Sequence, residues 1–376
     1  MKTEINPFLI QQYQGPAYFC DRISETNTLL ENIQNNSNTA FFAQRRIGKT
    51  ALIQHVFHQL AKKKTMTIYL DIYATQNLKA FTNQLANSIY NLYPVNKSLG
   101  KRFLEAIKLL RPIISLDEIT GNAELSLDIT QPKQFEKTIP QLLQFLDQQP
   151  TKTVIAIDEF QQILEYPEQN VEAILRTAIA PLKQTSFIFC GSNQAMMQTI
   201  FNAAKRPFYA STKNINLQKI DSGLYTQFIR KKIKEHQRTI SDTAVDQILT
   251  LTQSHTYYTQ CLCNTIFASH IKNIELEHVY QALNKILSQN EGTYYQYRQL
   301  LTAAQWQLLR AIALEGTVDK PYAQQFIYRH QLGTPANVKR SLEALIQKEM
   351  VYQNTNLKNP YFEVYDKFLM LWMQHK

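Results

Sequence analysis

Through the first half of the chain, short runs of apolar, β-branched and aromatic residues alternate with stretches whose apolar positions recur at helical spacing. "TAFFA" (Thr39–Ala43), "MTIYLDI" (Met66–Ile72), "TVIAIDE" (Thr153–Glu159), "SFIFCGS" (Ser186–Ser192) and "INL" (Ile215–Leu217) read as strands. Their near-continuous apolarity suits strands covered on both faces, so the pattern predicts an α/β fold with a parallel sheet wrapped by helices. Between the second and third strands, "RPIISLDEITGNAELSLDI" (Arg111–Ile129) alternates around Thr120-Gly121-Asn122, which predicts a hairpin insertion over about 111–129.

After Ile220 the strand pattern stops. Asp221 to Gln289 reads as amphipathic helices: "GLYTQFIRKKIKEHQ", "SDTAVDQILTLTQ" with Ser241-Asp242 at its start, "YYTQCLCNTIFASHI" and "LEHVYQALNKIL". The polar stretch "SQNEGTYY" (Ser288–Tyr295) reads as a linker. From Tyr297 a third pattern begins. "TAAQWQLLRAIAL", "YAQQFIYRHQL" and "TPANVKRSLEALIQKEM" are three helices, the last capped by Thr334 with Pro335 at its first position. "VYQN", a polar turn and "YFEVYD" then form a two-strand ribbon before a terminal "KFLMLWMQ" helix. Three helices and a ribbon make a winged helix. The expected segmentation is a core over 1–220, a helical segment over 221–292 and a winged helix over 293–376.

At 376 residues with 44% hydrophobic and 19% charged, the chain can bury substantial cores. No apolar run approaches the roughly 18 to 20 residues that span a bilayer. The start "MKTEINPFLIQQYQ" lacks the pattern of a leader peptide. Cys20, Cys190, Cys261 and Cys263 lie in apolar segments at spacings unsuited to a zinc site or a disulfide framework. The expected location is the cytoplasm, with no membrane partner. The net charge of +10 favours encounter with polyanions, but no dense basic tract accompanies it.

The segment "AQRRIGKTA" (Ala43–Ala51) carries the densest chemistry. A loop leaving a buried strand for a helix can aim successive N–H groups at a phosphate, where the helix dipole favours negative charge. In G-x-x-x-x-G-K-[ST], Gln44, Arg45, Arg46 and Ile47 form the turn and Gly48 admits the phosphate. Lys49 reaches the β- and γ-oxygens, and Thr50 ligates Mg²⁺. Ala43 stands where the opening glycine belongs. That position is expected to need an unusual backbone, at a cost of about 1 kcal/mol for alanine. A second element completes the pattern. "TVIAIDEF" ends a buried strand on Asp158-Glu159, where Asp158 would hold the Mg²⁺ shell through water and Glu159 would polarise an attacking water. On the next strand, Ser192 or Asn193 falls where a polar group could sense a γ-phosphate. Together these predict an ATP site.

"YFCDRISETNTLL", "AQRRIGKTALI", "VIAIDEF", "FIFCGSN" and the winged helix, in that order, resemble the archaeal-type P-loop ATPases of the STAND/AAA+ superclass. The resemblance covers nearly the whole chain, and Arg45-Arg46 is one of its more specific marks. It implies a P-loop NTPase core of five strands in which the Walker A and Walker B strands flank a sensor strand, followed by a helical lid and a winged helix. It also implies that Arg22, with Asp21 and Glu25, lines the adenine side; these residues equally suit a helix N-terminus. Three departures stand out. Ala43 replaces glycine, Ser254-His255-Thr256 replaces a lid Gly-x-Pro, and Ala210-Ser211 replaces a Gly-Arg. The third moves any arginine role to Arg206, Lys205 or Lys213.

Two readings of the activity remain open: Mg-dependent ATP hydrolysis coupled to movement of lid and winged helix, or an ATP/ADP-responsive switch with little turnover. The output is also open. Asn337, Lys339, Arg340 and Lys348 on the third winged-helix helix suit duplex DNA, and the same surface suits a protein partner or an oligomer.

Overall fold

The computed structural model describes residues 5–93, 98–116, 123–127, 132–354 and 360–375. The chain divides into two compact units, one over Gln12–Lys219 and one that joins the N-terminal residues up to Gln11 to Ile220–Lys376.

In the first unit the elements run α1 (Ile23–Gln34), β1 (Thr39–Ala43), α2 (Lys49–Ala61), β2 (Met66–Asp71), α3 (Leu78–Leu92), α4 (Ser98–Ala106), β3 (Pro112–Leu116), β4 (Ala123–Leu127) and α5 (Pro132–Asp147). They continue through β5 (Thr153–Asp158), α6 (Val171–Ile179), β6 (Thr185–Cys190), α7 (Gln194–Asn202) and β7 (Lys213–Leu217). The sheet order is β2-β5-β6-β1-β7, with all neighbours parallel. β6 therefore lies between β1 and β5, as the family resemblance implies.

Strand parity explains the two-sided burial. Phe41, Ala43, Val154, Ala156, Ile188 and Cys190 face one core with α2. Ala40, Phe42, Ile155, Ile157, Phe187 and Phe189 face the other with α3 and α5. Buried on both sides, these strands show no apolar-polar alternation. The expected hairpin is present as antiparallel β3 and β4, Ile114 opposite Leu125; the expected turn Thr120–Asn122 lies outside the described residues. Asn87 and Asn83 accept from the N–H groups of Leu125 and Leu127, both at 3.0 Å. Two side chains of α3 thus satisfy edge donors of β4 that a neighbouring strand would otherwise take.

In the second unit, α8 (Ser222–Glu235), β8 (Thr239–Ile240), α9 (Asp242–Thr252), α10 (Thr256–Phe267), β9 (Asn273–Ile274) and α11 (Leu276–Leu300) form the helical segment. The linker expected at Ser288–Tyr295 is not one: α11 runs through it without a break. Val279, Leu283, Ile286, Leu287 and Tyr294 form one buried stripe, so Tyr294 extends the packed face beyond the polar residues, and Asn290 Nδ2 donates to the Ile286 carbonyl at 2.8 Å. The winged helix follows as α12 (Ala303–Glu315), α13 (Gln324–Arg329), α14 (Pro335–Gln347), antiparallel β10 (Val351–Asn354) and β11 (Tyr361–Val364), and α15 (Lys367–His375). Thr334 caps α14 by accepting from Asn337 N, with Pro335 at the first position. The polar turn expected between β10 and β11 falls on residues outside the description, save Pro360.

The N-terminal residues pack in this unit, a placement that no pattern in the chain signals. Asn6 Nδ2 donates to Asn264 O at 2.9 Å, Asn264 Nδ2 donates to Phe8 O at 2.7 Å, and the fully buried Phe8 ring meets Phe228 and Phe267 edge-on. None of the four cysteines forms a disulfide. Among the described residues no helix is long and apolar enough to cross a membrane.

Candidate functional site

β1 ends at Ala43 and α2 begins at Lys49; the loop between them makes its turn with two left-handed residues, Arg46 at φ 61 and Gly48 at φ 101. Ala43 is not among the residues of positive φ and pairs with Leu217 as an ordinary strand residue, so the backbone cost expected there does not arise. The demand sits instead at Gly48, where a glycine meets it freely, and at Arg46. Gly48 caps α2, whose first residue Lys49 is only 6% exposed. No carboxylate among the described residues pairs with that ammonium. Gln44, Arg45 and Ile47 fill the loop; Ala51 is half-buried in the first turn of α2.

Strand parity carries Asp158 to the α2 side of the sheet. There Thr50 Oγ1 donates to Asp158 Oδ2 at 3.2 Å, and the Glu159 N–H donates to Asp158 Oδ1 at 2.9 Å. Glu159 itself is left-handed, φ 56, an uncommon conformation that costs free energy in a side-chain-bearing residue. Its carboxylate turns toward the end of β6: Glu159 Oε2 accepts from Ser192 Oγ at 2.6 Å and from Ser192 N at 3.3 Å. Asn193 is spent differently, its side-chain oxygen accepting from Met196 N at 3.1 Å to cap α7.

Arg22 reaches the loop. Its guanidinium is buried, donating to Glu25 Oε1 at 2.9 Å and to the Ile47 carbonyl at 3.3 Å. It is also the left-handed cap of α1, which is the helix N-terminus reading of this residue.

The alternative arginine positions are less convergent. Arg206 is ion-paired with Glu172 of α6. Lys213 opens β7 opposite Thr39, the first residue of β1, and so stands at the sheet edge away from the loop. Asn337, Lys339, Arg340 and Lys348 are exposed on or just after α14, in the other unit, with Arg340 Nη2 donating to Asn337 Oδ1 at 3.3 Å.

Three residues join the site that motif spacing did not single out. Tyr69 donates a short hydrogen bond to Asp158 Oδ2 and lies 3.5 Å from Thr50 Oγ1. Burial and the Asp158 charge push its phenol up, so it stays a donor. Asp71 is the lateral partner of Asp158 in the sheet. Burial raises its carboxyl, the hydrogen bond from Tyr73 N opposes this, and the charges of Asp158 and Glu159 raise it further. Gln161 Nε2 donates to Glu159 Oε2 at 2.5 Å. A signal for Asp71 was present, since β2, like β5, is an apolar strand that ends on an acid.

Residues 19–262 match a family described as an ATPase domain predominantly from Archaea, and residues 292–375 match a probable winged helix domain. Among solved structures, the chain is similar to a Walker-type ATPase of Pyrococcus abyssi at 16% identity and TM-score 0.66, over 98% of this chain and 99% of that one. It is also similar to the ORC2 protein of Aeropyrum pernix in ADPNP-ADP complexes, at 13% identity and TM-score 0.57, over 99% and 97%. A third is the ORC1 protein of Aeropyrum pernix in complex with DNA, at 14% identity and TM-score 0.52, over 96% and 95%. At these identities the likeness is one of fold. No curated protein matches the chain.

Proposed function

The chain belongs to the ATPase-domain family found predominantly in Archaea, and from that premise we propose that it hydrolyses MgATP at the loop between β1 and α2. The observation that carries this reading is Lys49. Its side chain is almost wholly buried with no carboxylate partner among the described residues, which leaves the ammonium for an anionic ligand. The loop amides and the positive end of α2 would serve the same anion.

The donor set fits a hard cation beside that anion. The Thr50 proton is committed to Asp158, which leaves the hydroxyl lone pairs for a metal ion. Mg²⁺, when bound, would neutralise charge on the β- and γ-phosphates. Thr50 would hold it directly and Asp158 through water. Lys49 would bind the phosphate oxygens, Arg22 would fix the loop from the adenine side, and Glu159 would orient and deprotonate the attacking water. Ser192 would hold Glu159 and lie near the γ-phosphate. Turnover would move the helical segment as a lid, together with the winged helix. The Walker-type ATPase likeness and the family match support this reading.

The test is direct. Steady release of phosphate, lost in Glu159→Gln while nucleotide still binds, supports hydrolysis. Tight binding with no release in the unaltered protein would replace it with the switch reading.

A second reading concerns output. The exposed Asn337, Lys339, Arg340 and Lys348, the +10 charge and a likeness to a protein solved with DNA favour duplex DNA as the winged-helix ligand. Phosphate contacts release counterions, so affinity for a duplex should fall steeply between low and moderate salt. A salt-indifferent affinity, or none at low salt, ends that reading and leaves a protein partner.

A further inference from the structure

Gln161 lies beyond the strand-end motif of Asp158-Glu159 and Gly191 has so far been given no role, yet Gln161 fits only because Gly191 carries no side chain. Gln161 is buried, two residues beyond Glu159, and its Nε2 donates to Glu159 Oε2 at 2.5 Å. That orientation turns Gln161 Oε1 toward Gly191, where the oxygen is buried with no hydrogen-bond donor among the described residues. Leaving such an acceptor unpaired costs free energy, so the amide is held this way by something that needs the N–H.

Gly191 is not a turn glycine, because its φ lies outside the left-handed region. What it provides is space. A Cβ built at Gly191 would stand 2.0 Å from Gln161 Oε1 and 2.9 Å from Met197 Sδ. The methionine sulfur can swing aside; the amide can move only by releasing Glu159.

We propose that Gln161 is a positioning residue for Glu159, and that the missing side chain of Gly191 makes room for it. With Ser192 Oγ and N, Gln161 completes three donors on one carboxylate oxygen, Oε2. All three bonds converge on that atom, so the carboxylate is pinned at one corner and Oε1 is the oxygen left to take a proton from water. This rests on the hydrolytic reading of the site.

The experiment measures phosphate release and fluorescent-ATP affinity in the unaltered protein, Gln161→Ala, Gln161→Met, Gly191→Ala and the double variant Gln161→Ala/Gly191→Ala, after thermal melts confirm folding. A misplaced catalytic group can cost up to about 100-fold. Gln161→Ala should therefore lower kcat by about 10- to 100-fold with nucleotide affinity within about twofold, and Gly191→Ala should do the same. The double variant should match Gln161→Ala alone, because the added Cβ then meets only the flexible Met197 side chain. Gln161→Met fills the same volume without the N–H and should be as slow as the alanine variant. The proposal is overturned if Gln161→Met keeps full turnover, or if Gly191→Ala slows the Gln161→Ala protein further. Absence of turnover in the unaltered protein, with binding intact, removes the hydrolytic reading and the proposal with it.

Discussion

The Ser192 hydroxyl, at the end of β6, donates to Glu159 Oε2 across the neighbouring strand end at 2.6 Å. One hydrogen bond thus joins the residue proposed to sense the γ-phosphate to the one proposed to activate water. A hydrogen bond to a charged group contributes about 1.5–3 kcal/mol. Ser192→Ala should therefore slow phosphate release roughly 10-fold or more while nucleotide affinity changes little, as stopped-flow phosphate detection beside a nucleotide titration would show. Unchanged release would separate Ser192 from the chemistry.

Lys49 sets function against stability. Lys49→Met removes a charge that has no carboxylate partner among the described residues and keeps the buried apolar stem. Nucleotide affinity should drop by about 100-fold or more, whereas the melting temperature of the nucleotide-free protein should hold or rise by a few degrees. A variant that melts well below the parent would mean that Lys49 is structural.

Tyr69 should act through the metal. Loss of an outer-sphere partner of a ligand typically weakens metal affinity by about 10- to 100-fold. Tyr69→Phe removes one of the donors on Asp158 Oδ2 and leaves the strand intact. Nucleotide affinity in EDTA should match the parent, and the gain on adding Mg²⁺ should shrink about 10-fold. An undiminished gain contradicts the role.

Glu172 gives a pH signature. Burial raises its carboxyl, and the Arg206 charge pulls it part of the way back. A carboxyl raised in the folded state binds its proton more tightly there than when unfolded, so stability falls as pH rises through the window between the two values. In Arg206→Met the opposing charge is gone and that fall should steepen: little loss of melting temperature near pH 4.5, a larger loss near pH 7.5. Equal losses at both would show that the ion pair contributes nothing.

Most of the sheet was legible because strands buried on both sides leave short apolar runs rich in β-branched and aromatic residues, and β1, β2, β5 and β6 all lie where those runs are. The site was legible where chemistry is local in sequence, from Gly48 to Thr50 and at Asp158-Glu159. It was illegible where the fold makes the neighbours. Tyr69 is 89 residues from Asp158, and Gln161 meets Gly191 only because β5 and β6 are adjacent. The linker reading failed at Ser288–Tyr295 because polarity on the outer face of a helix looks like a loop until Tyr294 is known to be buried.

That uninterrupted α11 has a mechanical consequence. Its 25 residues make a rod about 37 Å long. It packs with α9 and α10 and, through Glu291 and Tyr294, against Trp372 of α15 in the winged helix. With no hinge in the middle, a tilt imposed at Leu276 arrives at Leu300 as a swing several times larger, as at the tip of an oar. Two glycines placed at Ser288 and Asn290 would turn the oar into a rope.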